Sequence, residues 1–234
     1  MRLIKTLFLA SVALGAVAWE RLNKTDAVLL VVDHQVGLFQ MVRDFNPAEF
    51  RSNIIAHATL AKVFDLPVVM TTSTEHGPNG PLPVEITDMH PDAPLIKRNG
   101  EVNAWDHDGF REAVRATGKK QVIVAGIVTE VCTTFLALSL IDEGYSVFAN
   151  ADASGTVDAR TAADANDRMR AAGVHVLSQF AVAADLMRDW TNTPGSLEML
   201  PYFDKYLPIY SYVTRAHAAA TLNGTILPGE IQSE

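Results

Sequence analysis

A chain of 234 residues, 48% of them hydrophobic, suits one globular domain with a well-filled core plus extensions. Its formal net charge of −8 offers a polyanion nothing to bind, which argues against nucleic acid as a partner. The single cysteine, Cys132, excludes an intramolecular disulfide and any cysteine-rich metal centre.

The first elements in chain order differ from the rest. Arg2 and Lys5 precede an uncharged, largely apolar stretch from Thr6 to Ala18, and Ala16-Val17-Ala18 fits a small-x-small cleavage pattern. Those are the three parts of a secretory signal peptide over residues 1–18. The apolar stretch is too short to stay in a bilayer as a spanning helix, so no stable membrane association is expected. Cleavage would leave a periplasmic or secreted protein with its only thiol unpaired, whereas an uncleaved chain would remain cytoplasmic. Mass spectrometry of protein from the native host should find a chain starting at Trp19; an intact Met1 on a cytosolic protein would overturn this reading.

Ala27 to Val32 is apolar without alternation, as expected of a parallel strand buried on both faces, and it ends in Asp33. Pro47 to Leu66 reads as a helix with Pro47 near its first turn, and Pro67 to Thr72 as a second strand. The Gly- and Pro-rich run Gly77-Pro78-Asn79-Gly80-Pro81 is a loop. A short strand, Leu95 to Lys97, precedes a helix from Asp108 to Thr117. Gln121 to Gly126 is a fourth strand, followed by a helix from about Glu130 to Glu143 that Gly144 closes. Tyr145 to Ala149 and Val174 to Leu177 supply two more strands, and Ala159 to Ala172 and Phe180 to Trp190 two more helices. The alternation predicts an α/β fold, a three-layer α-β-α sandwich around a central six-stranded parallel sheet, over residues 19–190. Residues 191–234 carry Pro194, Pro201 and Pro208 among many aromatics, and read as an arm packed on the domain or on a neighbouring subunit.

Ligands of such sheets bind beyond the carboxyl ends of the strands, where Asp33 and the loop before Cys132 both fall. Cys132 follows a strand, a glycine and a tight turn, in the first turn of the next helix. A lone cysteine is usually a small buried hydrophobe. Here the helix dipole and free amides would stabilise a thiolate, lower the thiol pKa and hold an oxyanion.

Gly126-Ile127-Val128-Thr129-Glu130-Val131-Cys132 and Leu30-Val31-Val32-Asp33 resemble the isochorismatase-like cysteine hydrolases. Thr71-Thr72-Ser73, Gly77 to Pro81, Asn103-Ala104-Trp105-Asp106, Thr117 to Lys120 and Asp152 to Thr156 extend the resemblance to the YcaC-like subgroup, from about Arg21 to Trp190. The resemblance implies a triad of Asp33, a basic residue and Cys132. It also implies a non-proline cis peptide at Ile127–Val128 that aims the Val128 N–H, beside that of Cys132, into an oxyanion hole. Measured back from Asn103, the basic residue is Arg98, with Lys97 as the adjoining alternative; strand neighbours face opposite sides, so only one enters the site. An arginine cannot shuttle protons at working pH, which leaves proton transfer to Asp33.

On this basis the chain is expected to be a hydrolase of a small amide-like or related acyl substrate through a thioester, and the relatives imply assembly as octamers. Two rivals are a catalytically silent binding or assembly protein and a vinyl ether hydrolase of the isochorismatase type. Asn103, Trp105 and the loop from Glu75 are candidates for the substrate pocket. His34 should point away from Asp33 into a packing or polar-network role. Asp106-His107-Asp108 has the composition of a metal cluster but reads more simply as a helix start capped by aspartates. Asp152 is expected to stabilise its loop. With neither an HExxH pair nor the Asp-x-His pattern of zinc-binding relatives, no metal and no cofactor are expected.

Overall fold

A computed structural model of the protein describes residues 19–224, so the signal-peptide reading over 1–18 lies outside the described residues. Six strands, β1 (Ala27–Val32), β2 (Val68–Ser73), β3 (Leu95–Arg98), β4 (Gln121–Gly126), β5 (Ser146–Asn150) and β6 (His175–Leu177), pair in parallel in the order β3-β2-β1-β4-β5-β6. β1 lacks alternation because both its faces are covered. Leu29 and Val31 join the core on one side, and Val28, Leu30 and Val32 the core on the other, all with no solvent exposure.

The helices start and stop where local chemistry dictates. Asn46 accepts the Ala48 N–H at 2.9 Å and Pro47 occupies the first turn of α1 (Pro47–Phe64), which ends at Asp65 in the left-handed region at φ 53°. A short α2 (Val84–Met89), absent from the sequence reading, follows the Gly/Pro-rich loop. α3 (Asp108–Ala116) is capped by the His107 ring, whose Nδ1 accepts the Phe110 N–H at 3.3 Å, so the cap is the histidine and not an aspartate. After β4, residues Thr129–Thr133 form a π-helical turn that leads into α4 (Thr134–Asp142). α5 (Ala159–Ala171) is capped by Asp158, and α6 (Gln179–Met187) by Ser178.

The segment after Trp190 is a helical pair, α7 (Ser196–Tyr206) and α8 (Pro208–Leu222), where the sequence suggested only a proline-punctuated arm. Pro201 falls inside α7, and Pro208 opens α8. Of the two uses open to the arm, α7 takes the first: Met199, Tyr202 and Phe203 are buried in the α1 side of the core, and Tyr202 donates to the Ala56 carbonyl at 3.3 Å. α8 leans on α7 and leaves Ile209, Tyr212, Val213 and Leu222 between 63% and 88% exposed. No helix among the described residues is long and apolar enough to cross a membrane.

Candidate active site

The strand order reverses direction between β1 and β4, which makes the carboxyl end of that pair the crevice where an open parallel sheet binds its ligand. Val32 pairs with Gly126 at this end, so Asp33 and Ile127 leave the sheet side by side. Gly126 is required there: a Cβ would come within 2.5 Å of the Val32 carbonyl oxygen. Asp33 itself adopts φ 53°, a left-handed conformation that aspartate tolerates better than most residues and that directs the chain sharply out of the strand.

Arg98, at the end of β3, is buried, and its Nη2 reaches both carboxylate oxygens of the equally buried Asp33. Its Nη1 donates to the Glu101 carbonyl and its Nε to the Thr71 hydroxyl at 3.0 Å. Lys97 points the other way, half-exposed, and pairs with Glu75 at 2.9 Å. Strand alternation therefore brings Arg98, not Lys97, to Asp33. Glu75 is held by Lys97 and by the Thr72 hydroxyl at 3.0 Å, which keep its carboxyl below the usual range although burial opposes them.

The Cys132 thiol hydrogen-bonds to Asp33, and the Val128 amide donates to the sulfur. The Ile127–Val128 peptide is cis. The thiol is not lowered as its place near a helix start suggested. Burial pushes it up, the Asp33 charge and hydrogen bond push in the same direction, and Arg98 and the Val128 amide recover only part. Burial also raises the Asp33 carboxyl, against the pull of Arg98. The resting arrangement is thus a protonated thiol beside a buried carboxyl of raised basicity that a fixed cation contacts at both oxygens.

His34 leaves Asp33 as its position predicted. It is fully buried, donates Nε2–H to the Ala153 carbonyl at 2.7 Å and packs edge-on to His57 at 6.2 Å. His57 donates to the Leu30 carbonyl at 3.1 Å and takes a hydrogen bond from Asn150 on Nδ1. Burial lowers His34 to about 4 and His57 to about 3, so both rings are neutral at physiological pH. Sequence inspection passed over His57, whose only signal was its place on the buried stripe of α1.

Asn103 and Trp105 are both held by contacts within the protein. Asn103 accepts the Trp105 N–H and donates to Ser139, seven residues beyond Cys132 and about 10 Å along the helix. Trp105 is buried in the core against Phe110 and Tyr145. Asp152 accepts the Gln179 N–H at 2.7 Å and so tethers its loop to α6. A cavity of about 440 Å³ sits between α1, α6 and α7, lined in part by Phe45, Gln179, Phe180 and Tyr206; Cys132 is not part of it. Among the described residues, no three His, Cys, Asp or Glu side chains converge as a metal site would require.

A buried acid, a buried arginine and a thiol at the switch point of a six-stranded parallel sheet define an α/β protein of the isochorismatase type. The isochorismatase domain model matches residues 27–179, and the chain belongs to that family of hydrolases. It is 48% identical over 201 residues to the probable hydrolase YcaC of Escherichia coli, covering 86% of this chain and 96% of that one. The crystal structure of the E. coli YcaC gene product, described as an octameric hydrolase of unknown specificity, superposes with a TM-score of 0.83 at 47% identity, over 87% of this chain and 99% of that one. YcaC from Pseudomonas aeruginosa, solved with hexane-2,5-diol and covalent acrylamide, gives the same TM-score at 45% identity, over 86% and 98%.

Proposed function

We propose that the protein is a cysteine hydrolase of small amide-like acyl substrates, with Cys132 as nucleophile, Asp33 as general base and acid, and Arg98 as fixed electrostatic partner. The observation that carries this reading is the thiol hydrogen-bonded to a buried carboxylate that Arg98 holds at both oxygens.

Asp33 takes the thiol proton as the sulfur attacks the acyl carbon, and the carbonyl electron pair moves onto oxygen. The amides of Val128 and Cys132 receive that oxyanion. Collapse of the tetrahedral species breaks the bond to the leaving amine, which departs with the proton from Asp33. Asp33 then accepts a proton from water as the water oxygen attacks the thioester, and collapse of the second intermediate returns the thiol. Arg98 does not exchange protons; it keeps Asp33 anionic when the thiol proton must leave.

The covalent acrylamide in the Pseudomonas relative supports the reading, since acrylamide is both a primary amide and an acceptor for a nucleophile, and this chain has one cysteine to offer. The test is ammonia release from a panel of small primary amides, ureides and carbamoyl compounds. Turnover of at least one by the wild-type protein is expected, and its absence across the panel would favour a silent binding role.

The octameric relative and the exposed apolar side of α8 together support a homo-oligomer. Ile209 and Val213 lie one turn apart on that side, 75% and 63% exposed. Replacing both with glutamate should lower the mass measured by light scattering without unfolding the domain. Truncation after Trp190 is a poorer probe, because it strips α7 from the core. An unchanged mass in the double variant would remove α8 from the interface.

A further inference from the structure

The geometry points to Thr71 as the positioning residue that fixes Arg98 against Asp33, an inference that rests on the proposed roles of Asp33, Arg98 and Cys132. Thr71 lies on β2 between the two strands that carry the pair: it is in register with Val32, next to Asp33, on one side and with Ile96 on the other. It is fully buried. Its carbonyl accepts the Asp33 N–H at 3.1 Å, and its hydroxyl accepts the Arg98 Nε–H at 3.0 Å. The hydroxyl proton is already committed to the Ile96 carbonyl at 2.8 Å, so the oxygen can turn only a lone pair toward Arg98.

Among the described residues, the Arg98 guanidinium has two side-chain partners, Asp33 and Thr71; its other bonds go to the carbonyls of Glu101 and Val102. Those carbonyls belong to the loop after β3, whereas Thr71 is anchored in the sheet. Nε is also the guanidinium nitrogen nearest the strand. A bond at Nε fixes the plane and rotation of the group, and with them the position from which Nη2 meets the carboxylate. Without the hydroxyl, the guanidinium keeps its charge but loses the anchor that aims it, and a buried N–H is left unpaired. The Asp33 carboxyl and the Cys132 thiol would then both hold their protons more tightly.

The experiment measures the pH dependence of Cys132 alkylation by acrylamide and iodoacetamide in the full chain. Thr71→Val keeps the shape and removes both hydroxyl bonds, Thr71→Ala removes them with less bulk, and Thr71→Ser retains them. Valine and alanine are expected to slow alkylation at pH 7 about tenfold, the scale of one lost charge-assisted hydrogen bond, and to move the midpoint of the profile up by about one pH unit. Serine should stay within about twofold of wild type. Because Thr71 acts through Arg98, Thr71→Val should change alkylation by less than about twofold when Arg98 is already lysine, which has no Nε–H of this kind.

Equal profiles for valine, alanine and serine would overturn the proposal, as would a full tenfold effect of Thr71→Val in the Arg98→Lys background. If valine and alanine both fail to fold, serine decides: a shifted profile in Thr71→Ser would show that the bulk of the side chain, not its hydroxyl, sets the site. The proposed function fails separately and visibly, since a Cys132→Ala protein that still acquires the label, or a wild-type profile insensitive to Arg98→Lys, would undo the triad itself.

Discussion

Cys132→Ala should abolish turnover of any substrate found in the amide panel, lowering kcat by about 10³-fold or more, and should leave the protein folded with a stability within about 1 kcal/mol of wild type. The two halves of this result have different causes. The thiol is the atom that bonds to the acyl carbon in the proposed reaction, so nothing else in the chain can replace it. For the fold, the change removes one sulfur atom at a position that is only partly buried. Asp33 loses a donor but keeps Arg98 on both oxygens. In the wild-type protein the thiol is held up by burial and by Asp33, so iodoacetamide should label it more slowly at pH 7 than free cysteine and faster as pH rises. A Cys132→Ala protein that keeps full activity would refute the nucleophile, and one that unfolds would make Cys132 a core residue instead.

The strands were legible because burial on both faces writes itself as uninterrupted runs such as Ala27–Val32 and Gln121–Gly126. The meeting of Asp33 with the Cys132 loop was legible for a related reason: parallel alternation puts every strand's carboxyl end at one edge. The two-residue period of a strand said that only one of Lys97 and Arg98 enters the site, and the resemblance to known hydrolases favoured Arg98; the Asp33 contact decides it. The direction of the thiol shift was not legible. Sequence position gives the helix start, but the shift is set by burial and by a charge delivered from β1, more than 90 residues away in the chain. Nor does the sequence say which contacts hold Asn103 and Trp105, which the structure shows as Ser139 and the aromatic core. A motif shared with relatives records that a residue is fixed, not whether it is fixed by a substrate or by packing. Thr71 was visible only as part of a motif, because its role depends on the register of three strands at once.

Arg98→Leu should destabilise the protein by about 3–5 kcal/mol at pH 8, the scale for removing one partner of a fully buried ion pair. The loss arises less from the attraction forgone than from the Asp33 charge left without compensation, at a site where both side chains have no solvent exposure. The cost should therefore depend on pH. Burial already raises the Asp33 carboxyl above its ordinary value of 3.8, with Arg98 pulling against it. An acid raised by folding binds its proton longer in the folded chain than in the unfolded one, so its contribution to stability declines as pH rises from about 3.8 to the raised folded value. Removing Arg98 raises that value further and extends the decline upward. The gap between variant and wild type should thus be small near pH 5, where Asp33 of the variant can stay neutral, and widest at pH 8. His34 and His57 act in the opposite sense: their folded values of about 4 and about 3 lie below the ordinary 6.5, so stability is lost as pH falls through that interval. Both proteins share this loss, and it cancels in the difference. Adding Asp33→Asn to Arg98→Leu removes the stranded charge and should recover most of the stability at pH 8 while leaving the protein inactive. Urea unfolding at pH 5 and pH 8 measures all of this. A cost that is the same at both pH values, or a double variant no more stable than Arg98→Leu alone, would show that Arg98 supports the fold by packing and not by holding the Asp33 charge.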